Sequence, residues 1–236
     1  MTDHRRAAWL LALSALIAAA VFALWPELDL RVSALFWRPG EGFFLRDQPI
    51  LGALRYLAWG ASLVLFLLSV VVAAITRCQD MLRRAAFVAL LYLTGPILLV
   101  DMLLKRFWGR ARPAQVTEFG GPADFTPFWL PSDQCARNCS FVSGEGSAAV
   151  ALILAALVLV PVLRRWLPRR AVAGIVLATG ALSVLTLAQR VATGRHFLSD
   201  TVFATLLVLA IGLVLHRLLL ARRGRGGPPD DAPADG

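Results

Sequence analysis

The chain has 236 residues, 58% of them hydrophobic, and carries 24 Lys and Arg against 15 Asp and Glu for a formal net charge of +9. Several apolar runs approach the roughly 20 residues that cross a bilayer, which excludes an ordinary soluble domain. The positive charge does not describe a nucleic-acid surface either, because the arginines flank apolar runs instead of lining one soluble face.

Six runs read as membrane helices, at about 7–25, 56–75, 86–104, 146–163, 171–187 and 201–220. In lipid only helices and closed barrels satisfy the backbone, and these runs lack the alternation of barrel strands. The first run is long for a signal peptide, and Trp25-Pro26-Glu27 is a poor cleavage site, so it is kept as a helix. The expected fold is therefore all-α and polytopic: one six-helix transmembrane domain over 1–222, with outer loops at 26–55, 105–145 and 188–200. The Pro- and Asp-rich stretch 223–236 has no apolar face and is expected to be a disordered cytoplasmic tail.

Thirteen of the 24 cations gather at one set of helix ends, namely Arg5, Arg6, Arg77, Arg83, Arg84, Arg164, Arg165, Arg169, Arg170, Arg217, Arg222, Arg223 and Arg225. That bias makes this side, and both termini, cytoplasmic. On the outer side, Arg31, Arg38, Arg46 and Arg55 are interspersed with Glu27, Asp29, Glu41 and Asp47, and partial neutralisation accounts for them. Lys105, Arg106, Arg110, Arg112, Arg137, Arg190 and Arg195 have no such explanation.

Three outer segments have the shape of oxyanion sites. Lys105 is the single lysine of the chain, and Arg112 follows it by seven residues, two turns if the third helix continues outward until Pro113 stops it. Asp101 lies one turn before Lys105 and can pair with it. An ammonium and a guanidinium together can grip an oxyanion from two directions. Next, Ser143-Gly144-Glu145-Gly146-Ser147 precedes the fourth apolar run, so helix-start N–H groups and a serine hydroxyl face outward. Third, Arg190 is followed by His196 and then Asp200, with His4 near the N-terminus and His216 at the cytoplasmic end, so His196 is the outer-face imidazole. Asp200, one turn on, can accept one ring proton and leave the other nitrogen to attack an electrophile. Each segment alone is also what a helix cap or a helix-end ion pair looks like; three on one face point to phosphate chemistry. Cys135 and Cys139, in the long outer loop, are expected to form a small disulfide, with a reduced pair as the alternative.

The order Lys105 to Arg112-Pro113, then Ser143-Gly144, then Arg190 to His196 to Asp200 resembles the three-part signature of the type 2 phosphatidic acid phosphatases, membrane relatives of the vanadium haloperoxidases. The resemblance extends over the six-helix body. It implies that His196 is a nucleophile forming a phosphohistidine, that Asp200 orients it, and that Lys105, Arg112, Ser143, the backbone at Gly144 and Arg190 bind the phosphoryl oxygens. It also implies that no cofactor or metal is needed, since side chains supply the cations. Two positions depart from the pattern. Val142 stands where the family has proline, and Glu145 stands where the family has the histidine that protonates the leaving oxygen. Glu145 is thus either the working acid and base, or a sign that the leaving group needs little help, or a sign of lost turnover.

The loop from Cys135 through Glu145, and Phe119-Gly-Gly before it, are similar to the bacterial lipid A phosphatase and phosphotransferase branch. The resemblance implies hydrolysis of a phosphomonoester of lipid A, or of a related phosphorylated lipid, at the periplasmic face of a bacterial inner membrane. Alternatives are an undecaprenyl pyrophosphate or phosphatidylglycerophosphate phosphatase, or a lipid A phosphotransferase. Outside enzymes, an anionic-lipid binder or transporter remains, although Asp101 is almost isolated at depth where a transporter would spread polar groups. The aromatic residues Phe36, Trp37, Phe43, Phe44, Phe119, Phe125, Phe128 and Trp129 of the outer loops suit an amphiphilic ligand and equally suit interfacial anchors. The expected partners are the bilayer and a phosphorylated lipid, with no nucleic acid.

Overall fold

The computed structural model describes residues 2–221, so the tail expected at 223–236 lies outside the described residues. Among the described residues, six helices are long and apolar enough to cross a membrane: Asp3–Leu24, Pro49–Ile75, Gln79–Phe107, Gly144–Leu163, Arg169–Ala192 and Leu198–Leu220. All six expected spans are present, and most run further than hydropathy suggests. Apolar character ends where a charge begins, whereas helical hydrogen bonding continues past it. Arg55, Arg84, Arg190 and Asp200 are consequently helical residues.

In chain order the elements are α1 (Thr2–Leu24), α2 (Glu27–Ala34), the two-residue strands β1 (Trp37–Arg38) and β2 (Gly42–Phe43), and α3 (Pro49–Ile75). The stretch 26–55, expected as a loop, is therefore largely built: a short helix, an antiparallel hairpin and the first turns of α3. The third span begins as α4 (Gln79–Tyr92), continues as π-helix over Leu93–Leu104 and closes with the turn α5 (Lys105–Phe107). Pro96, which has no N–H to give to the helical ladder, sits inside the π segment. The last three helices are α6 (Gly144–Leu163), α7 (Arg169–Ala192) and α8 (Leu198–Leu215), so the expected outer loop 188–200 narrows to the turn between Ala192 and Leu198.

The helix carrying Lys105 stops at Phe107, before Arg112 is reached. Gly109 adopts a φ of +66°, a left-handed conformation that breaks the helical path, and Arg112 is extended. Lys105 and Arg112 thus do not share a helix face, contrary to the seven-residue spacing argument. They reach the outer end of the bundle from a helix terminus and from a loop.

The central helix is α6, which packs on α7, α8, α3, α4 and the π segment. Its buried face is made of small residues, Gly146, Ser147, Ala149, Ala151, Ala155 and Ala156, which let neighbouring backbones approach closely where lipid offers no hydrophobic drive between helices. Around them Phe87, Val88, Leu91, Tyr92 and Val208 form the core. Large apolar side chains such as Leu10, Leu16, Leu177 and Val184 point outward, as a lipid-facing surface requires. At one end of the bundle Asp80 pairs with Arg84 and Arg165; the residues singled out for phosphate chemistry gather at the other.

Candidate active site

The turn between α7 and α8 places His196 by backbone bonds: the N–H groups of Arg195 and His196 both donate to the Arg190 carbonyl, each at 3.1 Å. The imidazole is 1% exposed. Its Nδ1 lies 2.8 Å from the Ser140 carbonyl oxygen and 3.7 Å from Asp200 Oδ2. A carbonyl can only accept, so Nδ1 carries the proton and Nε2 is the free nitrogen. Asp200, expected as the direct acceptor, is the more distant one. Its oxygens are held by other donors: Arg110 Nη1 at 2.6 Å, the Phe197 N–H at 2.8 Å and the Ser140 hydroxyl. Asp200 is therefore linked to the ring through Ser140, whose hydroxyl donates to it while the Ser140 carbonyl lies against the imidazole. Burial lowers the His196 pKa to about 4, followed by the neighbouring Arg190 and Arg112 charges, against the raising effect of Asp200. The ring is neutral at pH 7, the state a nucleophile requires.

Beneath this histidine runs a buried ionic ladder. Arg110, fully buried, donates to Asp200 and Ser199 from Nη1, to Asp29 Oδ2 at 2.8 Å from Nη2, and to the Thr126 carbonyl from Nε. Its guanidinium also lies 4.3 Å over the Phe197 ring. Asp29 in turn accepts from the Ser199 N–H and hydroxyl. Burial raises the Asp29 carboxyl above the ordinary range, and Arg110 pulls it back. Four chain segments, α2, the loop after α5, the residues entering α6 and the first turn of α8, are fastened together at this point.

Above the histidine lies a cationic cradle. Ser143 caps α6, its Oγ accepting the Gly146 N–H at 3.1 Å, while its own N–H reaches the Asp200 carbonyl. The first-turn N–H groups of Gly144 and Glu145 are left without intrahelical acceptors, as at any helix start. Lys105 pairs with Asp101 at 2.8 Å, as expected, and its ammonium lies against Gly144: a Cβ there would sit 2.5 Å from Lys105 Nζ. Only glycine lets that cation approach the helix start so closely. Arg190, buried, forms an ion pair with Glu145, Nη1 to Oε2 at 3.1 Å, and its Nε has no partner among the described residues. Arg112 donates from Nε and Nη2 to the Asn138 carbonyl. The Cys135–Cys139 disulfide closes the loop that presents that carbonyl.

The structure thus brings His196, Asp200, Ser143, Gly144, Glu145, Lys105 and Arg190 to one end of the bundle, with Arg112 at its edge. Glu145 is the surprise among them. Instead of standing free, it accepts from Arg55 Nε at 2.9 Å on both oxygens as well as pairing with Arg190. Arg55 and Asp29, expected to be neutralised within their own loop, instead pair with Glu145 and Arg110. Arg110, Ser140 and Ser199 were also missed as site residues. The surplus of outer cations contained Arg110 and so hinted at it, whereas a backbone carbonyl such as that of Ser140 leaves no mark in a sequence. Beside Arg55 and Lys105 opens a mostly apolar groove of about 480 Å³ lined by Tyr56, Trp59, Phe66 and Ile97. Of the loop aromatics, Phe43 is buried and packs edge-on to Phe119, so it braces the outer loops and is not an interfacial anchor.

Residues 85–223, more than half of the chain, match the PAP2 superfamily. The chain belongs to the PAP2 superfamily. The match runs from within the span carrying Lys105 to residue 223, and leaves out α1–α3, where Asp29 and Arg55 lie. Among curated relatives, the chain is 30% identical over 212 residues to a lipid A 4'-phosphatase of Francisella tularensis subsp. novicida, covering 86% of this chain and 90% of the relative. It is 40% identical over 126 residues to the lipid A 4'-phosphatase of Rhizobium etli, covering 50% of this chain and 46% of the relative. A Rhizobium leguminosarum protein of the same name is 39% identical over 119 residues, covering 50% and 48%. The chain spans about half the length of the two rhizobial proteins. A transmembrane PAP2 type phosphatidylglycerolphosphate phosphatase from Bacillus subtilis superimposes with a TM-score of 0.58 at 22% identity, covering 95% of this chain and 100% of that one. That likeness shows a shared fold over the whole helical body, α1–α3 included.

Proposed function

We propose that this PAP2 protein is a lipid phosphatase that removes a phosphomonoester group from lipid A, or from a closely related phosphorylated lipid, through a phosphohistidine at His196. One observation carries the reading: a buried, neutral imidazole whose Nδ1 proton is held by Ser140, next to a cradle of Lys105, Arg112, Arg190 and the open N–H groups of α6. Nε2 attacks phosphorus in line, and the cations stabilise the charge that gathers on the equatorial oxygens. Attack makes the ring an imidazolium, and the buried Asp200 carboxylate stabilises it from 3.7 Å.

Glu145 takes the role of acid and base. An incoming phosphomonoester monoanion competes with its carboxylate for Arg190 and brings a proton; the displaced Glu145 carboxylate takes that proton and passes it to the leaving oxygen. By microscopic reversibility it then takes a proton from the water that hydrolyses the phosphohistidine. Arg55 holds the side chain in reach throughout. Lipid A is favoured as the substrate because the three relatives above are named for it. The apolar groove beside Arg55 and Lys105 suits the tail of an amphiphile. The arginine bias supports cytoplasmic termini and a periplasmic site in the inner membrane.

The test is to incubate purified protein in detergent with lipid A, undecaprenyl pyrophosphate, phosphatidylglycerophosphate and phosphatidic acid, following free phosphate and lipid mass together. Lipid A should lose one phosphate to water, and His196→Ala should abolish the release. Transfer of the phosphate to a second lipid would replace hydrolysis with phosphotransfer, and binding of every lipid without chemistry would refute the enzyme reading.

A further inference from the structure

Immediately outside the cradle lies a mostly polar pocket of about 240 Å³, lined by Arg46, Arg112, Arg137 and Arg195 together with Gln115 and Asn138. None of the four guanidiniums forms an ion pair among the described residues, although ion pairs elsewhere absorb Arg38, Arg55, Arg84, Arg110, Arg165 and Arg190. Four uncompensated cations around one small volume repel each other, and a protein keeps such an arrangement when an anion fills it. Asp47 and Glu145 act on Arg195 electrostatically, and neither forms an ion pair with it among the described residues. Burial lowers the pKa of both Arg112 and Arg195; repulsion from Arg195 and Arg46 lowers that of Arg112 further, and repulsion from Arg46 and Arg55 that of Arg195, with Glu145 opposing in both.

Its position ties this pocket to the reaction. Arg195 and His196 are consecutive residues whose N–H groups share the Arg190 carbonyl, and Arg195 lines the polar pocket while the His196 ring is buried against Ser140. Arg112 lies in the wall of the pocket and within electrostatic reach of His196. Its backbone N–H is fixed by Gln115 at 3.0 Å and its guanidinium by the Asn138 carbonyl, so it is held in place without being neutralised.

We propose that this arginine basin is a second oxyanion subsite, which binds another phosphate or carboxylate of the same head group whose phosphate reacts at His196. The enzyme then selects lipids bearing two anionic groups on one head group over those bearing one. Arg46 and Arg137, exposed and outside the reacting cradle, act as specificity residues. The inference rests on the lipid-phosphatase reading, and its test separates the two.

The measurement is binding of a bisphosphorylated disaccharide lipid and of its monophosphorylated counterpart to the full chain carrying His196→Ala, which holds substrate without consuming it. The bisphosphorylated lipid should bind about ten- to a hundredfold more tightly, the size of one or two charge-assisted hydrogen bonds. Arg46→Gln with Arg137→Gln should remove that preference and leave affinity for the monophosphorylated lipid unchanged. Equal affinity for the two lipids, or equal weakening of both by the arginine substitutions, overturns the subsite. Inorganic phosphate serves as a third probe: if the two substitutions weaken it as much as they weaken the bisphosphorylated lipid, the basin is a seat for free phosphate and the head-group proposal fails. Phosphate release by the unsubstituted protein is scored separately. Its absence would remove the phosphatase reading, and the binding comparison would still decide the subsite.

Discussion

Replacing Arg110 with leucine tests how the site is held. The substitution keeps an apolar side chain over Phe197 and removes the one cation that touches both Asp29 and Asp200. Breaking a buried pair by deleting one partner costs about 3–5 kcal/mol, because the abandoned charge stays out of water. Here two carboxylates are abandoned, and the Thr126 carbonyl and Ser199 hydroxyl lose a donor as well. For a chain of this size each kcal/mol corresponds to about 2–4 °C in midpoint, so Arg110→Leu should unfold about 6–20 °C below the parent in the same detergent. Adding Asp29→Asn removes one stranded charge and should recover part of that loss without restoring phosphate release, because the Asp200 contact is still missing. Thermal unfolding followed by tryptophan fluorescence reads the first quantity, and free phosphate reads the second. An Arg110→Leu midpoint within a degree of the parent, with normal turnover, would show that the ladder neither stabilises the outer end nor positions His196.

Glu145→Gln preserves shape and removes the transferable proton, so kcat should fall about a hundred- to ten-thousandfold in a phosphate-release assay, and near-normal turnover would eliminate the acid–base role. Gly144→Ala places a methyl against Lys105 Nζ and Asp101 Oδ1, which must move aside; phosphate affinity should weaken by about tenfold, the loss of one charge-assisted hydrogen bond, with stability little changed. His196, titrated by NMR of histidine-labelled protein, should remain neutral well below pH 6.5, since its folded pKa is lowered to about 4. Because the unfolded state then binds the extra proton first, stability should decline as pH falls from about 6.5 through about 4. A His196 that protonates near pH 6.5 would contradict the buried neutral ring.

The six helices were legible because apolar runs of bilayer length have few alternatives, and the three polar segments that meet at one end of the bundle were legible because each is short and local. Asp101 and Lys105, one turn apart, form the pair their spacing suggested. What failed was whatever needed knowledge across long stretches of chain or of backbone geometry. Glu145 meets Arg55 across 90 residues, and Arg110 meets Asp29 across 81 and Asp200 across 90, distances over which a sequence does not report pairing. The common face assumed for Lys105 and Arg112 required an unbroken helix, which Gly109 interrupts. Asp200 was correctly placed near His196, yet the closer acceptor is the Ser140 carbonyl, a group every residue type carries. The helix limits drifted for one further reason: charged residues such as Arg55 and Arg190 end an apolar run without ending a helix, and those residues line the site.

The most direct measurement is to mix the protein with a lipid carrying a radiolabelled phosphomonoester, quench in alkaline detergent within the first turnovers, and map the label by peptide. A covalent, acid-labile phosphate on the peptide containing His196, absent from His196→Asn and longer-lived in Glu145→Gln, is the predicted result. Rapid release of labelled phosphate with no label on His196, or continued turnover in His196→Asn, would contradict it.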